Sequence, residues 1–288
     1  MNVQNRYKYF PQMATYDKLS IRYVSFLMYS NHPNFSSDVV NTDSAGFRFA
    51  GAGGHQRLDK LPDSATIDIL TGGSTAFGVG ATSDGNTVAS LLSEKTNRTW
   101  MNYAGRAFTS TQECISFMYY RPKNTRISNI VILGGFNDLY VYFVSKFFDK
   151  HMGSFFNAQR FFEVMAGMED NRRGKCFIRP FVNLLLKKKY GKHEFNRVEN
   201  NVAIQLLLNK KKISETALGY ALGESITHHQ DQPQEVIDVL RRNISNWKLI
   251  ANGCGANIKY VLQPYAGWLP NRRFTSNEKF SFDILDKA

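Results

Sequence analysis

Residues 66–78 read Thr66-Ile-Asp-Ile-Leu-Thr-Gly-Gly-Ser74-Thr-Ala-Phe-Gly78. A short run of β-type residues stops at two glycines and then presents a serine. In α/β proteins that junction, at the carboxyl end of a parallel strand, is where ligands bind and chemistry happens. Gly72 and Gly73 allow a sharp turn and a close approach of backbone to substrate. Ser74 then falls near the start of the next helix, where free N–H groups and the helix dipole favour a developing negative charge.

The chain on either side repeats the strand-then-helix pattern. Thr87–Lys95 is predicted helical, with Val88, Leu91 and Leu92 on its apolar side. Thr99–Tyr103 is a second strand, ending at Ala104-Gly105. Thr111–Tyr120 is a further helix, with Ser110 or Thr109 as its cap. Asn129-Ile-Val-Ile-Leu133 is a third strand, continuously apolar as a strand covered on both faces should be. Glu235–Ile250 is helical, with Val236, Val239, Leu240, Ile244 and Trp247 on one face. Lys259–Pro264 is a fourth strand, stopped by its proline. Strands alternating with helices predict an α/β sheet.

The expected division has three parts. Residues 1–60 form an extension packed on the core, and 61–138 with 247–288 form the α/β core. Residues 139–246 form a basic, aromatic helical insertion between the third and fourth strands. Residues 146–215 hold 15 Lys and Arg against 7 Asp and Glu, a large share of the net charge of +12. Such a surface suits acidic lipids, glycans or nucleic acid. Its lysine runs, Lys187–Lys189 and Lys210–Lys212, equally fit solvated helix faces, and no nucleic-acid-binding motif accompanies them.

A hydrophobic content of 43% rules out an intrinsically disordered chain. Three scattered cysteines, Cys114, Cys176 and Cys254, form neither a disulfide framework nor a metal-ligand spacing. No cofactor or metal is expected. A basic, then apolar, leader is not seen, and no run reaches the ~18 apolar residues of a membrane span. A cytoplasmic location is therefore expected.

Three loops following three successive strands carry the candidate chemistry. They offer Gly73-Ser74, Gly105 in Asn102-Tyr-Ala-Gly-Arg106, and Gly134-Gly-Phe-Asn137-Asp138. In a parallel sheet all three emerge on one edge. Acyl transfer needs a nucleophile with donors aimed at the oxyanion. Ser74 supplies the hydroxyl, while the Ser74 and Gly105 N–H groups and the Asn137 amide supply donors. Each motif alone is equally a turn or a helix cap.

The ordered set resembles the SGNH (GDSL-like) hydrolase family. The resemblance covers about Asn41 to Asp138 and again Tyr260 to Glu278, and Asn41–Arg48 looks like the "N-S-x-G-F-R" lead-in of many bacterial members. It implies a three-layer α/β/α sandwich with a central parallel sheet, flavodoxin-like. By resemblance Ser74 is the nucleophile, and Gly105 and Asn137 form the oxyanion hole. The implied activity is hydrolysis or transfer of an acyl ester on a carbohydrate or lipid.

One block of that pattern is not seen. The family's Asp-x-x-His, which supplies the general base, does not occur, and the last strand and helix are expected to be missing with it. Without a base a serine is a poor nucleophile. Among the six histidines, His228 and His229, near Asp231, are candidates to reach in from the insertion. Solvated loop histidines are the competing reading. Two functions are therefore carried forward: a serine esterase or acyltransferase, and a non-catalytic protein that binds an acidic glycan or lipid on the same scaffold.

Overall fold

A computed structural model of the 288-residue chain describes residues 7–144, 148–156 and 233–264. The chain divides into two compact units, one of residues 1–145, 150–156 and 229–288, the other of 146–149 and 157–228. The first unit carries the strands and the expected site residues. The lysine runs and most of the expected basic insertion lie outside the described residues.

Helix α1 (Met13–Lys18) leads into an antiparallel hairpin of β1 (Ile21–Val24) and β2 (Met28–Asn31). The main sheet contains β3 (Thr66–Gly72), β4 (Trp100–Asn102), β5 (Arg126–Gly134) and β6 (Asn257–Leu262). Its order is β4-β3-β5-β6 and every pairing is parallel. Between these strands run the four-residue α2 (Ser74–Phe77), α3 (Val88–Thr96) and α4 (Ser110–Tyr120). Helix α5 (Phe136–Val144) follows β5, and the long α6 (Pro233–Cys254) precedes β6. Among the described residues no helix is long and apolar enough to cross a membrane.

The order of the strands decides where a ligand can sit. From β3 the chain moves to β4 on one side, then returns past β3 to β5 on the other. The carboxyl end of β3 is therefore the point where the winding reverses, which is where open α/β sheets bind their ligands.

Strand alternation sorts side chains onto two faces. Ile67 and Ile69 of β3, Met101 of β4, and Ile130 and Ile132 of β5 point to one face. They pack with Cys114 and Phe117 of α4 and Trp247 and Ala251 of α6. Leu70, Trp100, Val131 and Leu133 point to the other, against Ala76 and Phe77 of α2 and Ala89 of α3. The result is a parallel sheet with helices on both faces. Asp68 interrupts this pattern in β3 and is fully buried. Arg98 pairs with it, and the Asn129 amide donates to it at 2.8 Å. A register shift between Ile67 and Asp68, where β3 meets β5, brings Asn129 opposite Asp68.

Two helical faces differ from expectation. In α3 the buried side chains are Ala89, Ser90 and Ser93, whereas Val88 and Leu91 are exposed. The small residues face inward because their hydroxyls bond locally: Ser90 donates to Asp84 O at 2.7 Å and Ser93 to Ala89 O at 3.1 Å. In α6 the buried stripe is Val236, Val239, Asn243, Trp247 and Ala251. Asn243, not Ile244, takes the inward place because its amide donates to Ser110 Oγ and Thr111 Oγ1 at 2.9 and 2.8 Å. Thr109 is the N-cap of α4, with Gln112 accepting from its backbone N–H at 3.1 Å. Ser110, the other candidate cap, is engaged elsewhere.

Trp247 anchors α6 to the sheet. It is completely buried, with its ring centroid 5.2 Å from that of Phe117. Trp247→Ala should lower unfolding stability by about 3–5 kcal/mol, measured in urea, because the site cannot collapse around so large a void.

Candidate functional site

The expected site residues lie at the reversal point. Strand β3 ends at Gly72, whose φ of 147° places a Cβ there 2.0 Å from Leu133 O of β5. Only glycine lets the two backbones come so close. Gly73 then turns the chain, and Ser74 opens α2 half-buried. At this first helical position the N–H has no intrahelical partner. Among the described residues the Ser74 hydroxyl makes no hydrogen bond.

Asn137 comes to the same place from the third loop. A Cβ on Gly73 would lie 2.4 Å from Asn137 Nδ2, so the amide sits against the Gly73 backbone. That amide is oriented by donating to Phe108 O at 2.7 Å. Gly105 comes from the second loop, but its N–H donates to Gly72 O at 3.1 Å. The Phe108 ring fills the space a Cβ on Gly105 would need. The structure thus brings Gly73-Ser74, Gly105 and Asn137 together, with the Gly105 donor turned to the strand end.

Helix α2 has only one turn and cannot hold itself. Its C-terminal carbonyls are taken one by one from outside. Gly78 N–H donates to Ser74 O at 3.0 Å, and Gly78 itself adopts a left-handed φ of 89°. The Asn102 amide, from the end of β4, donates to Ala76 O at 3.0 Å and Phe77 O at 3.4 Å. Arg48 Nη1 donates to Gly78 O at 2.8 Å and Phe77 O at 3.3 Å.

Arg48 is the most constrained cation of the site. Its side chain is fully buried, with Nε 2.7 Å from Asp84 Oδ1. Nη1 also donates to the Tyr16 hydroxyl at 2.8 Å, and Nη2 to Val39 O at 2.7 Å. The guanidinium lies 5.5 Å from the Tyr16 ring centroid and 5.6 Å from that of Phe77. Asp84 is held in turn by the Asn41 N–H at 3.2 Å and the Asn41 amide at 2.7 Å. Asn41 and Arg48 therefore grip the same carboxylate. Burial raises the Tyr16 phenol above its ordinary range, although the Arg48 charge opposes this.

Sequence reasoning included Asn41, Arg48 and Asn102 in its motifs without assigning them a task. Asp84 and Tyr16 were missed; a lone Asp in Ser83-Asp-Gly85 reads as a turn residue.

Behind Asn137 lies a buried acidic group. Asp138 accepts from Ser110 N at 3.1 Å on both oxygens and from the Ser110 hydroxyl. Burial nevertheless pushes its carboxyl up to about 6, with those bonds pulling the other way.

None of the described histidines is hydrogen-bonded to Ser74. His32 Nδ1 is 2.7 Å from Pro33 O, His55 is exposed, and His151 Nδ1 is 3.5 Å from Arg242 Nη1. His193, His228 and His229 lie outside the described residues. Cys114 and Cys254 are free thiols. Among the described residues no group of three His, Cys, Asp or Glu could hold a metal ion. The chain matches no family model, and it matches no curated protein at a significant level.

Two substitutions test these contacts. Arg48→Met leaves Asp84 buried without its cation and should cost about 3–5 kcal/mol in urea unfolding. Adding Asp84→Asn should restore part of that loss. Gly73→Ala drives a methyl into the Asn137 amide and should cost about 1–3 kcal/mol, with a shift of the Asn137 side-chain NMR resonances.

Proposed function

We propose that this chain is a serine esterase or acyltransferase of the SGNH (GDSL-like) type, acting on an acylated carbohydrate or lipid. The observation that carries the reading is the contact of the Asn137 amide with Gly73, one residue before a half-buried serine, at the point where the sheet's winding reverses. A nucleophile and an oxyanion donor from different strands are there within reach of one acyl group.

In this reading Ser74 Oγ forms a bond to the acyl carbon while its proton passes to a base. The Asn137 amide and Ser74 N–H hold the carbonyl oxygen as it becomes negative. Collapse expels the alcohol, which takes the proton from the base. Water, or a second alcohol in a transferase, then releases the acyl group by the same steps in reverse order. The Gly105 N–H joins the donors only when its bond to Gly72 O opens. Among the described residues no base is hydrogen-bonded to Ser74 Oγ, and the sequence's candidates for that role are His228 and His229, without which the serine would be idle.

A second reading has its own observation. The Ser74 hydroxyl has no hydrogen-bonded base among the described residues. A non-catalytic protein gripping an acidic glycan or lipid through the same loops would look alike there.

A fluorophosphonate probe separates the two. The esterase reading expects stoichiometric labelling at Ser74, lost in Ser74→Ala together with hydrolysis of short acyl esters. Asn137→Ala should lower kcat about 10²–10³-fold, as removal of one oxyanion donor does. His228→Ala or His229→Ala should abolish labelling if that residue is the base. No labelling of the wild-type chain, with a thermal shift on adding an acylated glycan, would support the binding protein instead.

A further inference from the structure

Glu113 lies on the inward face of α4 and is 1% exposed. Among the described residues neither of its oxygens has a hydrogen-bond partner. They lie where β5 ends: a Cβ on Gly134 would be 3.0 Å from Oε1 and 3.2 Å from Oε2. One residue on, a Cβ on Gly135 would be 2.8 Å from the Tyr260 hydroxyl of β6. That hydroxyl is also buried and unpartnered. Gly135 has a φ of 91°, and the turn carrying Asn137 rests on two polar groups that have no hydrogen-bond partner among the described residues.

A buried ionised carboxylate without a cation or donors costs several kcal/mol, and such a group takes up a proton instead. Among the described residues the titratable neighbours offer no cation. They are Asp138 of α5, Tyr260 of β6 and Cys114 of α4 itself. Among the described residues no ion pair reaches Glu113. Of the two carboxyls, Asp138 takes all three Ser110 contacts and Glu113 takes none. A single proton shared out between them therefore belongs on Glu113.

We propose that Glu113 is a positioning residue for Asn137: as a neutral carboxylic acid it supports the Gly134–Gly135 turn, and its ionisation moves the Asn137 amide away from Gly73. The consequence for catalysis rests on the esterase reading, whereas the buried proton does not. Burial and the neighbouring Asp138 both hold the Glu113 carboxyl well above its ordinary range. A raised acid binds its proton more tightly folded than unfolded. Its contribution to stability is thus full at low pH and lost as pH rises above the unfolded value.

The test compares wild type with Glu113→Gln, which mimics the neutral acid. Between about pH 5 and pH 8 the Tm of the wild-type chain should fall relative to that of Glu113→Gln. As the folded chain is taken from neutral to alkaline pH, above the range where Asp138 titrates, the Asn137 side-chain amide resonances should move in wild type and stay fixed in Glu113→Gln. Fluorophosphonate labelling of Ser74 should drop severalfold at alkaline pH in wild type, persist in Glu113→Gln, and be low throughout in Glu113→Ala. Parallel Tm profiles and unmoved Asn137 resonances would overturn the proposal. Should Glu113→Gln fail to fold, an infrared band for a protonated glutamate at neutral pH in carbonyl-labelled wild type decides the matter, and its absence is fatal. Absence of Ser74 labelling in the wild type defeats the esterase reading alone, since the Tm and resonance comparisons need no catalysis.

Discussion

The Arg48–Asp84 pair is the constraint on which the site depends. A one-turn helix has too few internal bonds to persist, so α2 exists because its last carbonyls are taken by groups from two distant segments, Asn102 and Arg48. Arg48 alone reaches Phe77 O, Gly78 O, Val39 O, Tyr16 and Asp84. Burying a guanidinium is tolerable only when nearly every donor is matched. Here that need holds the N-terminal segment, the turn at Asp84 and the serine turn in one geometry.

The same economy appears at the other loops. Arg106 donates to Tyr16 O at 3.3 Å and Ser20 O at 3.0 Å, tying the Gly105 loop to α1 and the residues just after it. Asn31, at the end of β2, donates to Gly46 O at 3.2 Å and accepts from Arg106 N at 3.3 Å. The loops are thus fixed by side chains reaching backbone.

Sheet residues were the legible part of the sequence. Ile67, Ile69, Ile130 and Ile132 announce strands by composition, and glycine pairs mark their ends. Boundaries failed where polar residues belong to the ladder, as at Arg126 of β5 and Asn257 of β6, both of which lie outside the expected strands. The β1–β2 hairpin gave no signal because its turn, Ser25-Phe26-Leu27, has none of the usual hairpin residues; Phe26 adopts a φ of 64° without being Gly or Asn. In the site, Ser74, Gly105 and Asn137 could be picked out because each follows a strand. Asp84, Tyr16, Glu113 and Tyr260 could not, since their importance comes from contacts between segments far apart in the chain. Spacing patterns do not report that.

The turn at Gly134–Gly135 depends on residues made much later than itself. Asn243, whose amide donates to Ser110 across 133 positions of chain, is one, and Tyr260 lies later still. During synthesis the strands β3, β4 and β5 can pair long before α6 and β6 leave the ribosome. The half-built sheet would then display the Gly73–Ser74 turn while Asn137 still lacked its floor. Order of emergence therefore separates making the Ser74 turn from completing its surroundings, and the Gly134–Gly135 turn gains its last neighbour only when the last described strand docks.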